Sequence, residues 1–170
     1  GDLNSNLTGA AGYSSQGIEA MFRFTDLTRI SWWGYRVLGT EVNYYPQTGE
    51  FDFGAIAGLA TYGAEGSNSP WTVEAGIILS MAQCLSSKSG QTMADPNRVN
   101  FLQYCYVFGG KGALYAEAAL QIANWRLGIY GKGGGYIMLS HEGGGAYGYQ
   151  GTADIFKPYW AVGASVTFTL

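Results

Sequence analysis

Ser140-His141-Glu142 brings a hydroxyl, an imidazole and a carboxylate together, the groups that acyl-transfer chemistry uses. In a strand, however, neighbouring residues point to opposite faces, so Ser140 and His141 cannot easily share one hydrogen bond. The trio reads as glycine-loop surface residues, and no catalytic residue is expected. His141 is the only histidine, which excludes multi-histidine metal sites, and neither a metal nor a cofactor is expected. Lys132-Gly133-Gly134-Gly135 has the glycines of a phosphate-binding loop. Such a loop needs a helix N-terminus behind it, and the strand-like Tyr136-Ile137-Met138-Leu139 follows instead. Asn6-Leu7-Thr8 matches a glycosylation sequon, a common chance occurrence. What remains is a set of scattered charges: Glu19, Arg23, Glu41, Glu74, Glu117, Arg126 and Lys132.

The elements carrying these charges alternate with period two, the signature of strands. From Trp71 to Ala82, the residues Trp71, Val73, Ala75, Ile77, Leu79 and Met81 share one face, opposite Thr72, Glu74, Gly76, Ile78 and Ser80. Leu114, Ala116, Ala118, Leu120 and Ile122 stand likewise opposite Tyr115, Glu117, Ala119 and Gln121. Ile18, Ala20, Phe22 and Phe24 oppose Glu19, Met21, Arg23 and Thr25, while Leu38, Thr40, Val42 and Tyr44 oppose Gly39, Glu41 and Asn43. Each segment is about ten residues long, enough for a tilted strand to cross hydrocarbon. The second face holds small residues and roughly one charge per strand, as suits a narrow barrel interior with the apolar face on lipid. There the charges are expected to form a lumen network whose value is register and specificity more than net stability.

Composition agrees. Charged residues are only 12% and aromatics 15% of the 170, glycine numbers 27, and net charge is −3. No cluster of Lys or Arg is present, which argues against nucleic-acid binding. No run reaches the roughly 20 apolar residues of a membrane helix. One domain, 1–170, is expected, its leader peptide already removed. Trp32, Trp33, Tyr35, Tyr44, Tyr45, Trp71, Trp125, Tyr159 and Trp160 lie near segment ends and are expected in interfacial girdles.

Pro158 to Leu170 alternates without a break, with Trp160, Val162, Ala164, Val166, Phe168 and Leu170 on one face. This resembles the closing strand of small bacterial outer-membrane β-barrels, the eight-stranded outer-membrane protein A/X-like class. The resemblance implies an assembly signal at Trp160, Val162, Val166, Phe168 and Leu170, read by the barrel-assembly machinery. The family usually ends in Phe or Trp, whereas this chain ends in Leu170 with the aromatic at Phe168.

The expected fold is all-β, an antiparallel up-and-down transmembrane barrel of eight strands near 5–13, 18–26, 35–45, 51–62, 71–82, 112–124, 126–140 and 158–170. Val99–Phe108 is strand-like too, which makes ten the rival count. With eight, both termini are periplasmic and Gln83–Lys111 is an outward loop. Cys84 and Cys105 are expected to form one disulfide there, in a cell-envelope protein of a Gram-negative bacterium. Tyr147 and Tyr149 in the last glycine-rich loop are candidate contacts.

The leading functional expectation is a non-enzymatic outer-membrane anchor, structural or interaction subunit. Its partners would be outer-membrane lipid or lipopolysaccharide, the barrel-assembly machinery, and another envelope protein in a larger complex. Three alternatives stand beside it. One is a small-solute channel. Another is a lipid-modifying enzyme, since outer-membrane lipid A deacylases and phospholipases place Ser, His and an acidic residue on barrel strands. The last is a soluble secreted barrel or sandwich binding an apolar ligand or sugar.

Overall fold

A computed structural model of the protein describes residues 3–32, 34–47, 50–61, 70–84, 109–139 and 154–170. Eight strands run in chain order: β1 Leu3–Ser14, β2 Gly17–Ser31, β3 Gly34–Tyr45, β4 Glu50–Ala60, β5 Trp71–Cys84, β6 Gly109–Ile122, β7 Trp125–Leu139 and β8 Asp154–Thr169. Each pairs antiparallel with its sequence neighbours, and β1 pairs with β8, from Asn6↔Thr169 to Ser14↔Ala161, closing the barrel. Closure leaves no exposed sheet edge among the described strands.

The rival count of ten is excluded from this barrel. β5 pairs directly with β6, from Trp71↔Leu120 to Ala82↔Gly109, so no further strand stands between them. Val99–Phe108 itself lies outside the described residues. The expected loop Gln83–Lys111 is also shorter at both ends, because β5 continues through Cys84 and β6 already begins at Gly109. Lys111 thereby becomes a strand residue.

The register fixes the barrel's dimensions. The directly paired residues Leu3, Thr28, Arg36, Leu59, Ala75, Ala116, Gly131 and Val162 lead once around the sheet and return to β1 at Tyr13, ten residues above the start. With a rise of about 3.3 Å per residue and strands about 4.8 Å apart, that stagger tilts the strands by about 40° and sets a backbone radius of about 8 Å. An eight-stranded interior of that width is just filled by side chains.

Alternation sorts the faces as hydropathy requires for a barrel in lipid. Val73, Ile77, Leu79, Leu114, Ile129 and Val166 all point outward, Ile129 being 68% exposed. Leu120, on the same face, is half-buried. Glu19, Arg23, Glu41, Glu74, Glu117, Arg126 and Lys132 all point inward and are buried. Outward Trp32, Trp71, Trp125 and Phe168 gather at the end holding both termini, where Trp125 and Phe168 rings lie 4.8 Å apart. Tyr13, Tyr44, Phe53 and Trp160 gather toward the other end. Gly133, paired with Trp160, stands eight residues beyond Trp125 on β7, which puts Trp160 about 23 Å above Trp125 along the barrel axis. This is close to the roughly 25 Å apolar band of outer-membrane barrels.

Three girdle assignments are corrected. Tyr35, Tyr45 and Tyr159 are buried inside the barrel. Each occupies the inward phase of its strand: Tyr45 and Tyr159 face away from the outward Tyr44 and Trp160 beside them, and Tyr35 shares the phase of the buried Val37. Trp33 lies outside the described residues.

Candidate functional site: a closed polar lumen

The inward charges meet because neighbouring strands bring them to matching heights. Arg23 on β2 and Glu41 on β3 are direct cross-strand partners. Arg23 Nη2 and Nε donate to Glu41 Oε1 at 2.6 and 3.0 Å. Nη1 of the same guanidinium stands 3.6 Å from Glu74 Oε2 on β5, and the cation lies 4.7 Å from the centre of the Tyr115 ring. Glu74 accepts from the Tyr115 hydroxyl at 2.7 Å. Glu117 faces Glu74 directly across β5 and β6 and accepts from Ser165 at 3.0 Å.

Lys132 ties β7 to the opposite wall. Its Nζ donates to Asn43 Oδ1 at 2.9 Å, to Glu41 Oε2 at 3.1 Å and to Glu19 Oε1 at 3.4 Å. Glu19 is also the meeting point of three phenols. It accepts from Tyr130 at 2.8 Å, lies 3.2 Å from the Tyr45 hydroxyl, and accepts from Tyr159. Near the termini, the Asn6 amide, turned with its oxygen toward Arg126, accepts from that guanidinium at 2.8 Å and donates to Thr169 Oγ1 at 3.0 Å. Arg126 Nη1 also stands 3.3 Å from Thr169 Oγ1.

Two charged members escaped the sequence reading. Asp52 Oδ2 accepts from Lys111 Nζ at 2.9 Å and from Tyr45 at 2.9 Å, while Oδ1 accepts from Asn43 at 2.8 Å. Lys111 lies 4.3 Å from the centre of the Tyr159 ring. Asp52 was legible in principle, since outward Phe51 and Phe53 flank it. Lys111 was not, because four small or flexible residues around it gave no alternation to follow. The described interior thus buries five carboxylates and four cations.

Glycine makes room for this network. A Cβ on Gly163 would sit 2.5 Å from the Ala11 carbonyl and 2.7 Å from Tyr130, and one on Gly76 would sit 2.8 Å from Tyr115. Each tyrosine ring closes against a glycine of the neighbouring strand, where any side chain would collide with it. Below Arg23 and Glu41, Leu27, Tyr35, Val37 and Ala60 form a buried apolar cluster toward the end with the termini. Side chains so paired and enclosed can hold strands in register.

Other expected site residues fall elsewhere. Trp160, Val162, Val166 and Leu170 are exposed on the outer wall and Phe168 is half-buried there; the Leu170 amide donates to Ser5 O at 2.9 Å across the β1–β8 seam. Cys84 is the last residue of β5. Cys105, His141, Tyr147 and Tyr149, with Ser140 and Glu142, lie outside the described residues.

An outward apolar wall between aromatic girdles, closed around a filled polar interior, defines a small transmembrane β-barrel. No family model matches the chain, and no curated protein matches it. Among solved structures the chain is similar to Neisserial surface protein A, with 13% sequence identity and a TM-score of 0.49 over 98% of this chain and 94% of that one.

Proposed function

We propose that this protein is a non-enzymatic integral barrel of a Gram-negative outer membrane, serving as an anchor, structural or interaction subunit of the cell envelope. One observation carries the reading: seven of the nine buried charges of the described lumen stand in ion pairs with one another, inside a wall whose outward face is largely apolar. Charges spent on internal ion pairs are not available to a substrate, and an interior filled at this radius leaves solutes no path. The barrel-assembly machinery would engage the outward face of β8, and both termini would be periplasmic. A Cys84–Cys105 disulfide would then fasten the outward connection between β5 and β6.

The test is fractionation followed by gel migration with and without boiling. Recovery in the outer-membrane fraction with a heat-dependent mobility shift is the expected result. A dispersed monomer without detergent would overturn the membrane assignment. Steady ion conductance in a planar bilayer would replace the anchor with a channel.

A further inference from the structure

The girdle at the far end is incomplete. Its outward positions carry Tyr13 on β1, Tyr44 on β3, Phe53 on β4 and Trp160 on β8. At the same height β6 and β7 carry Gly112 and Gly133, set by the pairs Leu79↔Gly112 and Gly133↔Trp160. The barrel's own packing does not require these glycines. A Cβ on Gly133 would meet nothing within 4 Å, and on Gly110 and Gly112 the nearest atoms would be 3.9 and 3.8 Å away. Gly134, facing the lumen, differs sharply: its Cβ would fall 2.0 Å from the Gly112 carbonyl.

The gap opens into a groove of about 790 Å³ on the outer wall. Phe53, Leu79 and Met81 form its sides, and the backbone of Gly110 and Gly112 forms its floor. Leu114, two residues below Gly112 on the same outward face of β6, is exposed as part of the lipid-facing band. A girdle normally places amphipathic rings at this height, one end apolar and one end wet. An apolar trough there suits a chain of methylenes entering from the bilayer, packed by dispersion against three large side chains and a flat glycine floor.

We propose that this groove is a lipid site that retains one acyl chain of an envelope lipid, rather than letting it exchange freely with the bilayer. The proposal rests on the membrane-spanning reading above. It is tested by refolding the full chain into nanodiscs of phosphatidylethanolamine and phosphatidylglycerol, extracting it in mild detergent and weighing it by native mass spectrometry. The unaltered protein is expected to carry one phospholipid. Gly110→Trp and Gly112→Trp, which fill the floor, are expected to lose it. Gly9→Trp, at an equally open outward glycine on β1, is expected to keep it. Absence of retained lipid, retention undiminished by both floor variants, or a second protein copy in its place would overturn the inference. In each of those outcomes the chain still enters the disc, so the membrane reading stands. A chain that stays outside the disc and dispersed without detergent overturns both.

Discussion

At the residue scale, the lumen rests on charges that tolerate being buried only as sets. Lys111 and Asp52 illustrate the rule, with a 2.9 Å contact and both side chains wholly enclosed. Lys111→Met leaves Asp52 without its cation and should cost about 3 kcal/mol, since removing one partner strands the other. Lys111→Met combined with Asp52→Leu should recover at least half of that loss. Urea titrations followed by the gel shift compare the two, and a double variant as unstable as the sum of the singles would refute the pairing. Glycine gives the complementary case. Gly163→Ala drives a methyl into the Ala11 carbonyl and the Tyr130 ring and should cost about 1–3 kcal/mol, whereas Gly9→Ala meets open space and should raise the midpoint, by about 0.5 kcal/mol. The inward phase of Glu19, Arg23 and Glu41 was legible from alternation alone. Which carboxylate each cation would choose was not, because Lys132 reaches Glu41 and Asn43 across the barrel, a contact no local spacing encodes.

At the element scale, the strands outrun the lengths their apolar patterns suggest. β2 extends to Ser31 where alternation of large residues fades after Phe24, because pairing with β3 continues through Arg29↔Tyr35 once neighbours supply the hydrogen bonds. Backbone pairing, rather than hydropathy, decides where a strand ends. The turns follow the same rule: Ser15-Gln16 falls in the gap between the expected strands 5–13 and 18–26, whereas Ala123-Asn124, inside the expected strand 112–124, is a two-residue reversal between the paired Ile122 and Trp125. Ala123 adopts a φ of 55°, a conformation that favours glycine and that hairpin turns often place at this position. Ala123→Gly should therefore stabilise the β6–β7 hairpin by up to about 1 kcal/mol, read as a higher urea midpoint. A lower midpoint would mean that the freedom glycine adds to the unfolded chain outweighs the strain relieved.

At the scale of the whole molecule, the stagger of ten residues converts a list of strands into an object of definite height. That number could not be read from the chain, because it depends on which residue of each strand faces which neighbour, and one wrong pairing would shift every later one. With it in hand, the tryptophans around Trp71 and Trp125 and the aromatics around Tyr13, Tyr44 and Trp160 become two rings about 23 Å apart. A typical hydrocarbon core is about 30 Å thick, so such a bilayer must thin around this barrel. Each ångström of mismatch costs a fraction of a kcal/mol. The folded protein should accordingly be most stable in vesicles whose hydrocarbon thickness matches the distance between the rings, and its urea midpoint should fall as acyl chains are lengthened or shortened from there. The series is run with saturated and monounsaturated phosphatidylcholines of graded length, scoring the fraction that keeps its unboiled mobility. Stability that climbed steadily to the thickest bilayers would mean that the two rings do not mark the membrane boundaries, and that the apolar wall between them is longer than its aromatic limits imply.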